Sequence, residues 1–425
     1  MDTRGSEVLY ARAVGLLPGG VNSPVRAMRS IGREHPIFIK RGEGFELIDV
    51  DGHRYVDWVC SWGPLILGHA DPEVVEAVQE AAARGTSYGA PTEAEVDLAA
   101  EVCDRFESVE MVRMTSSGTE ATMSAVRLAR AATGRDAVVK FAGAYHGHVD
   151  GLLAAAGSGL ATQGIPASPG VTAAQAADTI VVPWNDADAL SKALAGREVA
   201  AILAEPLPAN MGLVPPEPGF LECVRALADE HGALLVLDEV ISGFRVARGG
   251  AQELLGVRAD VTVMGKVLGG GLPAAAYGAS RKLMSRIAPA GDVYQAGTLS
   301  GNPLAVAAGL ATLEQLDAGA YERLGALTDL LAGGLREAAG ELPVSVVSVP
   351  GLVTPFFAAE PPRDFAGASA CDLDAYGRFA QGMLERGIYP PASQFEAWFV
   401  SLAHDEAAIE HTCEAAAEAF SAALG

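Results

Sequence analysis

A lone lysine, Lys266, ends a short apolar run and is followed by three consecutive glycines at residues 269–271. The run at residues 261–264 contains β-branched residues and predicts a buried strand. Burial lowers the pKa of a lysine, and a neutral amine is a nucleophile that can form a Schiff base with an aldehyde. The glycines would let the backbone turn tightly and approach a ligand. The alternative is a strand-end lysine that points into solvent.

Two adjacent carboxylates, Asp238 and Glu239, follow another apolar run at residues 234–237. Buried carboxylates are costly unless they are paired. Adjacent strand residues point to opposite faces of a sheet, so the two carboxylates have different partners. Because one βαβ crossover separates Asp238 from Lys266, we expect these two residues at the ends of neighbouring parallel strands.

Small hydroxyl residues surround Gly118 and Thr119, where a predicted strand leads into a predicted helix at residues 121–132. The free N–H groups and the dipole of a helix N-terminus form an anion site that suits a phosphate. A plain helix cap is the alternative. No G-K-S/T sequence follows as in a Walker motif, and no dinucleotide-binding G-x-G-x-x-G follows a strand.

The sequence Tyr145-His146-Gly147-His148 follows a predicted strand at residues 137–141. The ring of Tyr145 could stack on a flat cofactor. The two histidines suggest a metal, but structural and catalytic sites use three or four ligands, so we predict no metal here. A lysine, a buried aspartate, an aromatic ring and a phosphate cradle are the parts of a pyridoxal phosphate site, in which the aspartate keeps the pyridine nitrogen protonated.

The elements that must position these residues alternate between helix and strand from residue 71 to about residue 280. Helices are predicted from Asp71-Pro72 onward, at residues 93–106 and at residues 121–132. Apolar runs predict strands at residues 111–114, 137–141, 180–183, 200–204, 233–237 and 261–264. This pattern indicates an α/β fold with a largely parallel sheet that is covered on both faces and binds ligands at the carboxyl ends of its strands.

The flanking segments predict two smaller parts. Alternating residues around Asp51-Gly52 predict an antiparallel hairpin within residues 36–59, and Trp62 after it is either core or a pocket wall. The C-terminal segment predicts helices at 304–316, 374–386 and 405–424, strands at 344–349, 353–358 and 397–402, and a loop at 361–370. We therefore divide the chain into an N-terminal segment (1–65), a large α/β domain (66–310) and a C-terminal α+β domain (311–425).

Composition limits the possible partners. The 425 residues carry a formal net charge of −23, which argues against nucleic acid or an anionic membrane as a partner. The five cysteines are scattered without a C-x-x-C pair, as in a reducing cytoplasm. We find neither the apolar core of a signal peptide nor a stretch of about 18 apolar residues, and expect a cytoplasmic protein.

Motifs between about residues 19 and 404 make the sequence resemble the class III, fold type I, pyridoxal-phosphate aminotransferases. They are GGVNSPVRA (19–27), SSGTEATMSAVRLAR (116–130), YHGH (145–148), AGSG (156–159), EPLPANMG (205–212), DEVISGFR (238–245), GKVLGGGLP (265–273), AGTLSGNP (296–303) and SQFEA (393–397). NSPVRA, GFRVARGGAQ (243–252) and AGTLSGNP indicate the aminomutase branch of this family. The sequence departs from the family at Trp398, where a smaller residue is usual, and at residues 389–392.

The resemblance implies a seven-stranded, mostly parallel sheet and a role for each matching residue. Lys266 would form the Schiff base and move a proton between adjacent carbons, Asp238 would pair with the ring nitrogen, and Tyr145 would stack on the ring. The remaining implied contacts are Gly118 and Thr119 with the phosphate, Thr298 with the same phosphate from the other subunit of a homodimer, Asn210 with the cofactor, Ser23 and Arg26 with the substrate carboxylate, Trp62 in the pocket wall, Glu396 at the pocket mouth, and residues 154–171 as a mobile gate.

The implied reaction is an intramolecular amino exchange on glutamate-1-semialdehyde. It would use pyridoxal 5'-phosphate and its pyridoxamine form and yield 5-aminolevulinate through a bound diamine. The alternatives are a class III ω-aminotransferase with a 2-oxo acid acceptor, and a protein that binds the cofactor without turnover.

Overall fold

The computed structural model describes residues 2–155 and 168–425. The strands within these ranges are β1 (Ile39–Glu43), β2 (Glu46–Asp49), β3 (Arg54–Asp57), β4 (Met111–Thr115), β5 (Ala137–Phe141), β6 (Thr179–Val182), β7 (Val199–Ala204), β8 (Leu234–Glu239), β9 (Val261–Met264), β10 (Ala275–Ala279), β11 (Ser345–Val349), β12 (Leu352–Phe356), β13 (Ile388–Tyr389) and β14 (Trp398–Phe399).

The α-helices surround these strands. They are α1 (Arg4–Ala13), α2 (Pro72–Arg84), α3 (Glu93–Arg105), α4 (Gly118–Thr133), α5 (Ala173–Ala176), α6 (Ala187–Leu194), α7 (Phe220–His231), α8 (Gly250–Leu255), α9 (Arg281–Met284), α10 (Pro303–Glu314), α11 (Ala318–Ala339), α12 (Phe365–Ser369), α13 (Leu373–Glu385) and α14 (Glu406–Leu424).

The central sheet has seven strands in the order β4-β10-β9-β8-β7-β5-β6. The strand β10 runs antiparallel to both of its neighbours, and the other neighbouring pairs are parallel. The predicted α/β fold with a mostly parallel seven-stranded sheet is therefore confirmed. The strand of this sheet that the sequence pattern did not reveal is β10, whose Ala-Ala-Tyr-Gly-Ala sequence contains none of the β-branched residues that indicate a strand.

Both faces of the central sheet are buried. Residues Ile202, Leu235 and Leu237 face a cluster that includes Trp184 and Phe220. Their neighbours in sequence point the other way, into a second cluster that includes helix α4, as expected from the two-residue repeat of a strand. Burial on both sides explains why these strands have nearly continuous apolar sequences.

A small sheet links the two ends of the chain. Its order is β1-β2-β3-β13, in which β2 and β3 form the predicted antiparallel hairpin. Strand β13 of the C-terminal segment pairs in parallel with β3, with Ile388 opposite Val56 and Tyr389 opposite Asp57. A third sheet has the order β11-β12-β14. The division of the chain at residues 65 and 310 stays a prediction.

Aspartate side chains cap α2, which begins at Asp71-Pro72 as predicted, and α14. The Asp71 side chain accepts from the N–H groups of Glu73 and Val74 before α2, and Asp405 accepts from Ala408 before α14. The predicted loop at residues 361–370 is wrong in part, because Phe365–Ser369 forms α12 with Asp364 as its cap.

The tryptophan that departs from the family is part of the core. Trp398 is fully buried and stacks on Trp58, with ring centroids 6.1 Å apart, and on Phe379. Its role in the described structure is therefore packing within the core. No helix among residues 2–155 and 168–425 has the length and apolar character needed to cross a bilayer.

Candidate active site

A cavity of about 630 Å³ opens where β8 and β9 end and α4 begins. This is the carboxyl edge of the parallel strands, where ligands bind in such folds. The structure brings most of the predicted site residues together in its lining: Ser23, Trp62, Gly118, Thr119, Tyr145, Asn210, Asp238, Lys266 and Glu396.

Lys266 lies just past the end of β9, in a left-handed backbone conformation with φ of 50°. Its Nζ donates a hydrogen bond to the carbonyl oxygen of Trp62 over 2.5 Å. Burial lowers the pKa of the amine to about 8, although the nearby carboxylates of Glu396, Glu205 and Asp238 act in the opposite direction. A substantial fraction of this amine is thus neutral and nucleophilic near physiological pH.

The turn that receives this amine has an unusual backbone. Cys60, Ser61 and Trp62 have φ values of 45°, 57° and 68°, and Gly63 follows with 111°. Each non-glycine residue in this region costs roughly 1–3 kcal/mol and persists only where surrounding contacts hold it. The strained turn presents the Trp62 carbonyl to Lys266. The hydrogen bond to the amine therefore depends on a backbone conformation that lowers the stability of the fold locally.

Asp238 lies near the end of β8, the strand next to β9, as predicted. Its Oδ2 is 2.7 Å from Nδ1 of His146, and its Oδ1 accepts from the N–H of Val240. The Nε2 atom of His146 is buried, has no hydrogen-bond partner in the described part of the chain, and belongs to a residue that lines the cavity. The sequence pattern suggests only a metal-ligand role for His146, and its position directly after Tyr145 is the one signal that points to this contact.

Glu205 also lines the cavity, and no sequence motif predicts a role for it. Its buried carboxylate accepts from the N–H groups of Tyr145 (2.9 Å) and Ala209 (3.1 Å) and from Nδ2 of Asn210 (2.9 Å). Burial raises its pKa. Glu205 thereby connects two predicted site residues, Tyr145 and Asn210, across separate loops.

The start of α4 forms one wall of the cavity. Ser117 accepts from the N–H of Glu120, and the Glu120 side chain returns to accept from Ser116 over 2.7 Å. Gly118 and Thr119 thus occupy the first turn, whose N–H groups lack intrahelical acceptors. A Cβ on Gly118 would lie 3.2 Å from Val240, so a larger residue would crowd this wall.

Two predicted site residues do not reach this cavity. Arg26 is exposed in a short helical turn, Pro24–Ala27, and Thr298 is exposed in a loop before α10. Neither is among the lining residues. The predicted gate at residues 154–171 falls mainly on residues 156–167, which lie outside the described residues, as does the AGSG motif.

The lining fits a flat cofactor that carries an aldehyde and a phosphate. Besides Nε2 of His146, the buried hydroxyl of Thr122 on α4 lacks a partner in the described residues and belongs to the lining. Orphaned buried polar atoms of this kind are uncommon unless a ligand or water pairs with them. No group of three potential metal ligands occurs within residues 2–155 and 168–425.

This chain belongs to the class-III aminotransferase family, whose model matches residues 28–412. It is 59% identical over 424 residues to the glutamate-1-semialdehyde 2,1-aminomutase of Roseiflexus castenholzii, covering 99% of this chain and 98% of the relative. A solved transaminase with PLP bound has a TM-score of 0.90 and 35% identity and covers 100% of this chain and 99% of its own. The solved structure of a glutamate-1-semialdehyde aminomutase from Pseudomonas aeruginosa has a TM-score of 0.88 and 29% identity. The match covers 99% of this chain and 95% of that chain.

Proposed function

We propose that this chain is a pyridoxal-phosphate-dependent aminomutase that converts glutamate-1-semialdehyde into 5-aminolevulinate, a precursor of tetrapyrroles. The observation that carries the chemistry is the partly neutral Lys266 amine in a cavity that also contains Asp238. The substrate assignment follows from the relative that shares 59% of its residues over nearly the whole chain.

Pyridoxal phosphate, when bound, supplies an aldehyde for the lysine amine and an aromatic ring that withdraws electrons from the substrate. Lys266 would hold the aldehyde end, and Asp238 would pair with the ring nitrogen. The N–H groups of Gly118 and Thr119 would hold the phosphate, because the N-terminus of α4 favours an anion. Tyr145 would cover the ring, with Asn210 beside it.

Lys266 would also carry the proton of the reaction. A lysine with a pKa of about 8 can accept and return a proton near neutral pH, so its Nζ can serve adjacent carbons in turn. Trp62 and Glu396 would shape the substrate end of the cavity, and Ser23 would contact the substrate. The exposed Arg26 would bind the substrate carboxylate after a local rearrangement of its turn.

A homodimer is part of the proposal. Thr298 is exposed near Tyr294 and Leu299, whose exposed fractions are 72% and 52%. Such apolar exposure favours burial against a second copy, in which Thr298 would reach the partner's phosphate site. Light scattering should give the mass of two chains. We also place the protein in the cytoplasm, where its five free cysteines would stay reduced.

The direct test supplies glutamate-1-semialdehyde alone to the purified, cofactor-loaded protein and measures 5-aminolevulinate. We expect turnover without any amino donor or 2-oxo acid. The Lys266→Ala variant should lose turnover and the absorbance of the lysine-bound cofactor together. Turnover that persists in this variant would refute the role of Lys266.

The second candidate is an ω-aminotransferase that passes nitrogen to a 2-oxo acid. It is supported by the fold, since the solved transaminase has a TM-score of 0.90. The fold does not separate the two reactions, because the aminomutase structure is nearly as similar. Activity that requires both an amino donor and 2-oxoglutarate would favour this candidate.

A further inference from the structure

Arg245 is a fully buried cation that the reaction described above does not use. Its guanidinium donates to three main-chain carbonyl groups: to that of Gly63, to that of Val400 over 2.8 Å and to that of Gly351 over 3.4 Å. Its Cζ lies 5.2 Å from the centroid of the Phe399 ring. Within residues 2–155 and 168–425, no carboxylate lies within ion-pairing distance of it.

A buried guanidinium without a carboxylate is unfavourable for folding. Burial lowers even the pKa of Arg245, to about 10, while Cys60 and Tyr321 act in the opposite direction. The three carbonyl acceptors offset part of this cost.

Two contacts connect Arg245 to Lys266. The first passes through the backbone, since Gly63 directly follows Trp62, whose carbonyl oxygen receives the Lys266 amine. The second passes through Phe399, because Nζ of Lys266 lies 5.8 Å from the ring that Arg245 also approaches. A Cβ on Gly63 would lie 2.8 Å from Phe399 and 3.3 Å from Cδ of Lys266, so the turn fits closely between the two.

We propose that Arg245 is a positioning residue for Lys266. By holding the Gly63 carbonyl it stabilises the strained turn at residues 60–63, and this turn fixes the Trp62 carbonyl that orients the amine. Its charge also disfavours a second positive charge on Lys266. The inference rests on the proposed function, in which Lys266 is the reacting amine.

The charged groups that face Lys266 come from several elements. The carboxylates of Glu396, Glu205 and Asp238 favour its protonated form, and Arg245 is the cation that opposes them. Removing the charge of Arg245 therefore takes away a repulsion that disfavours the protonated form of Lys266. The titration midpoint of Lys266 should then move upward.

The test measures how fast each lysine of the cofactor-free full chain reacts with acetic anhydride between pH 6 and pH 11, with mass spectrometry to separate the sites. The exposed Lys192 serves as the internal reference. In Arg245→Gln the midpoint of Lys266 should rise by roughly one pH unit, and in Arg245→Lys it should stay near that of the wild type.

Arg135→Gln is the matched control. Arg135 also donates to three main-chain carbonyls, those of Val199, His231 and Gly232. It lies where the parallel strands begin, whereas Lys266 lies where they end. The control should leave the Lys266 midpoint unchanged even if it lowers stability. Equal midpoints in the wild type, Arg245→Gln and Arg135→Gln would overturn the proposal.

If Arg245→Gln does not fold, Arg245→Lys carries the test. A lysine cannot span the carbonyls of Gly63 and Val400 as the guanidinium does. We then expect turnover to fall at least fivefold while KM changes little; wild-type turnover would overturn the proposal. If the wild type makes no 5-aminolevulinate, the proposed function is refuted. The comparison of Lys266 labelling midpoints stays valid in that case, because the labelling rate does not depend on turnover.

Discussion

Nδ1 of His146 lies 2.7 Å from Oδ2 of Asp238, and both side chains are buried. The carboxylate accepts this hydrogen bond, so Nδ1 carries the proton. The remaining Oδ1 accepts from the N–H of Val240. The two contacts hold Asp238 from two sides and fix the direction in which it faces the cavity.

The variant His146→Ala should weaken the function of Asp238. A hydrogen bond to a charged group contributes about 1.5–3 kcal/mol, so its loss should lower turnover or cofactor affinity by roughly 10- to 100-fold. His146→Asn retains an N–H donor and should recover part of this loss. The measurements are kcat with glutamate-1-semialdehyde and the Kd of pyridoxal phosphate.

His411→Ala is the control for this experiment, because His411 is exposed on the last helix. It should leave both quantities unchanged. Wild-type turnover and cofactor affinity in His146→Ala would mean that the contact with Asp238 is dispensable.

Gly147 allows the loop that contains Tyr145 to pack on the start of α4. Its φ is 80°, and a Cβ there would lie 2.5 Å from Oγ1 of Thr119 and 2.6 Å from its Cα. Gly147→Ala should displace Thr119 from the helix terminus. Because this terminus is the proposed phosphate site, we expect the Kd of pyridoxal phosphate to rise at least tenfold, measured by fluorescence titration of the cofactor-free protein.

Gly134→Ala separates backbone strain from this collision. Gly134 ends the same helix with φ of 69°, and apart from its chain neighbours no described residue has an atom within 4 Å of the position of its Cβ. Both alanine substitutions should lower the free energy of unfolding by about 1–2 kcal/mol, because alanine is strained in the left-handed conformation. Only Gly147→Ala should lose cofactor affinity, and an equal loss in the two variants would contradict the proposed phosphate site.

The parts of the site that follow apolar strands were predictable from the sequence. Lys266 and Asp238 stand directly after buried runs, and one crossover between parallel strands brings such ends together. The contacts of His146 with Asp238, of Glu205 with Tyr145 and of Arg245 with Gly63 were not predictable, because these partners are distant in sequence and depend on how loops pack. Of these, Arg245 reaches Gly63 across 182 positions.

The missed elements lack the usual signals for physical reasons. Helix α11 contains four glycines, which lower its intrinsic helix propensity. One of them, Gly334, is required by packing, because a Cβ there would lie 2.3 Å from Sγ of Cys413 on α14. In β10, a Cβ on Gly278 would lie 2.5 Å from a methyl group of Val109. Tertiary contacts here favour residues that local patterns do not associate with helices or strands.

Lys140 is a second buried lysine and connects β5 to the short 3₁₀ helix Asp150–Ala155. Its Nζ donates to the carbonyl groups of Leu152 (2.9 Å) and Ala144 (3.2 Å). Burial lowers its pKa from 10.5 to about 8, with Glu205 acting in the opposite direction. The stability that Lys140 contributes must therefore depend on pH.

Between pH 8 and pH 10.5 the unfolded chain retains a proton on Lys140 that the folded chain has released. Since stability rises with pH wherever the unfolded state binds more protons, the wild type should gain stability relative to Lys140→Met across this window, by at most about 1.4 kcal/mol per pH unit. Below pH 8 the difference in stability should be constant.

Urea unfolding of both chains at pH 7, 8, 9 and 10 measures this difference, with the exposed Lys192→Met as control. A difference that does not change between pH 8 and pH 10 would mean that Lys140 is not titrating in the folded protein.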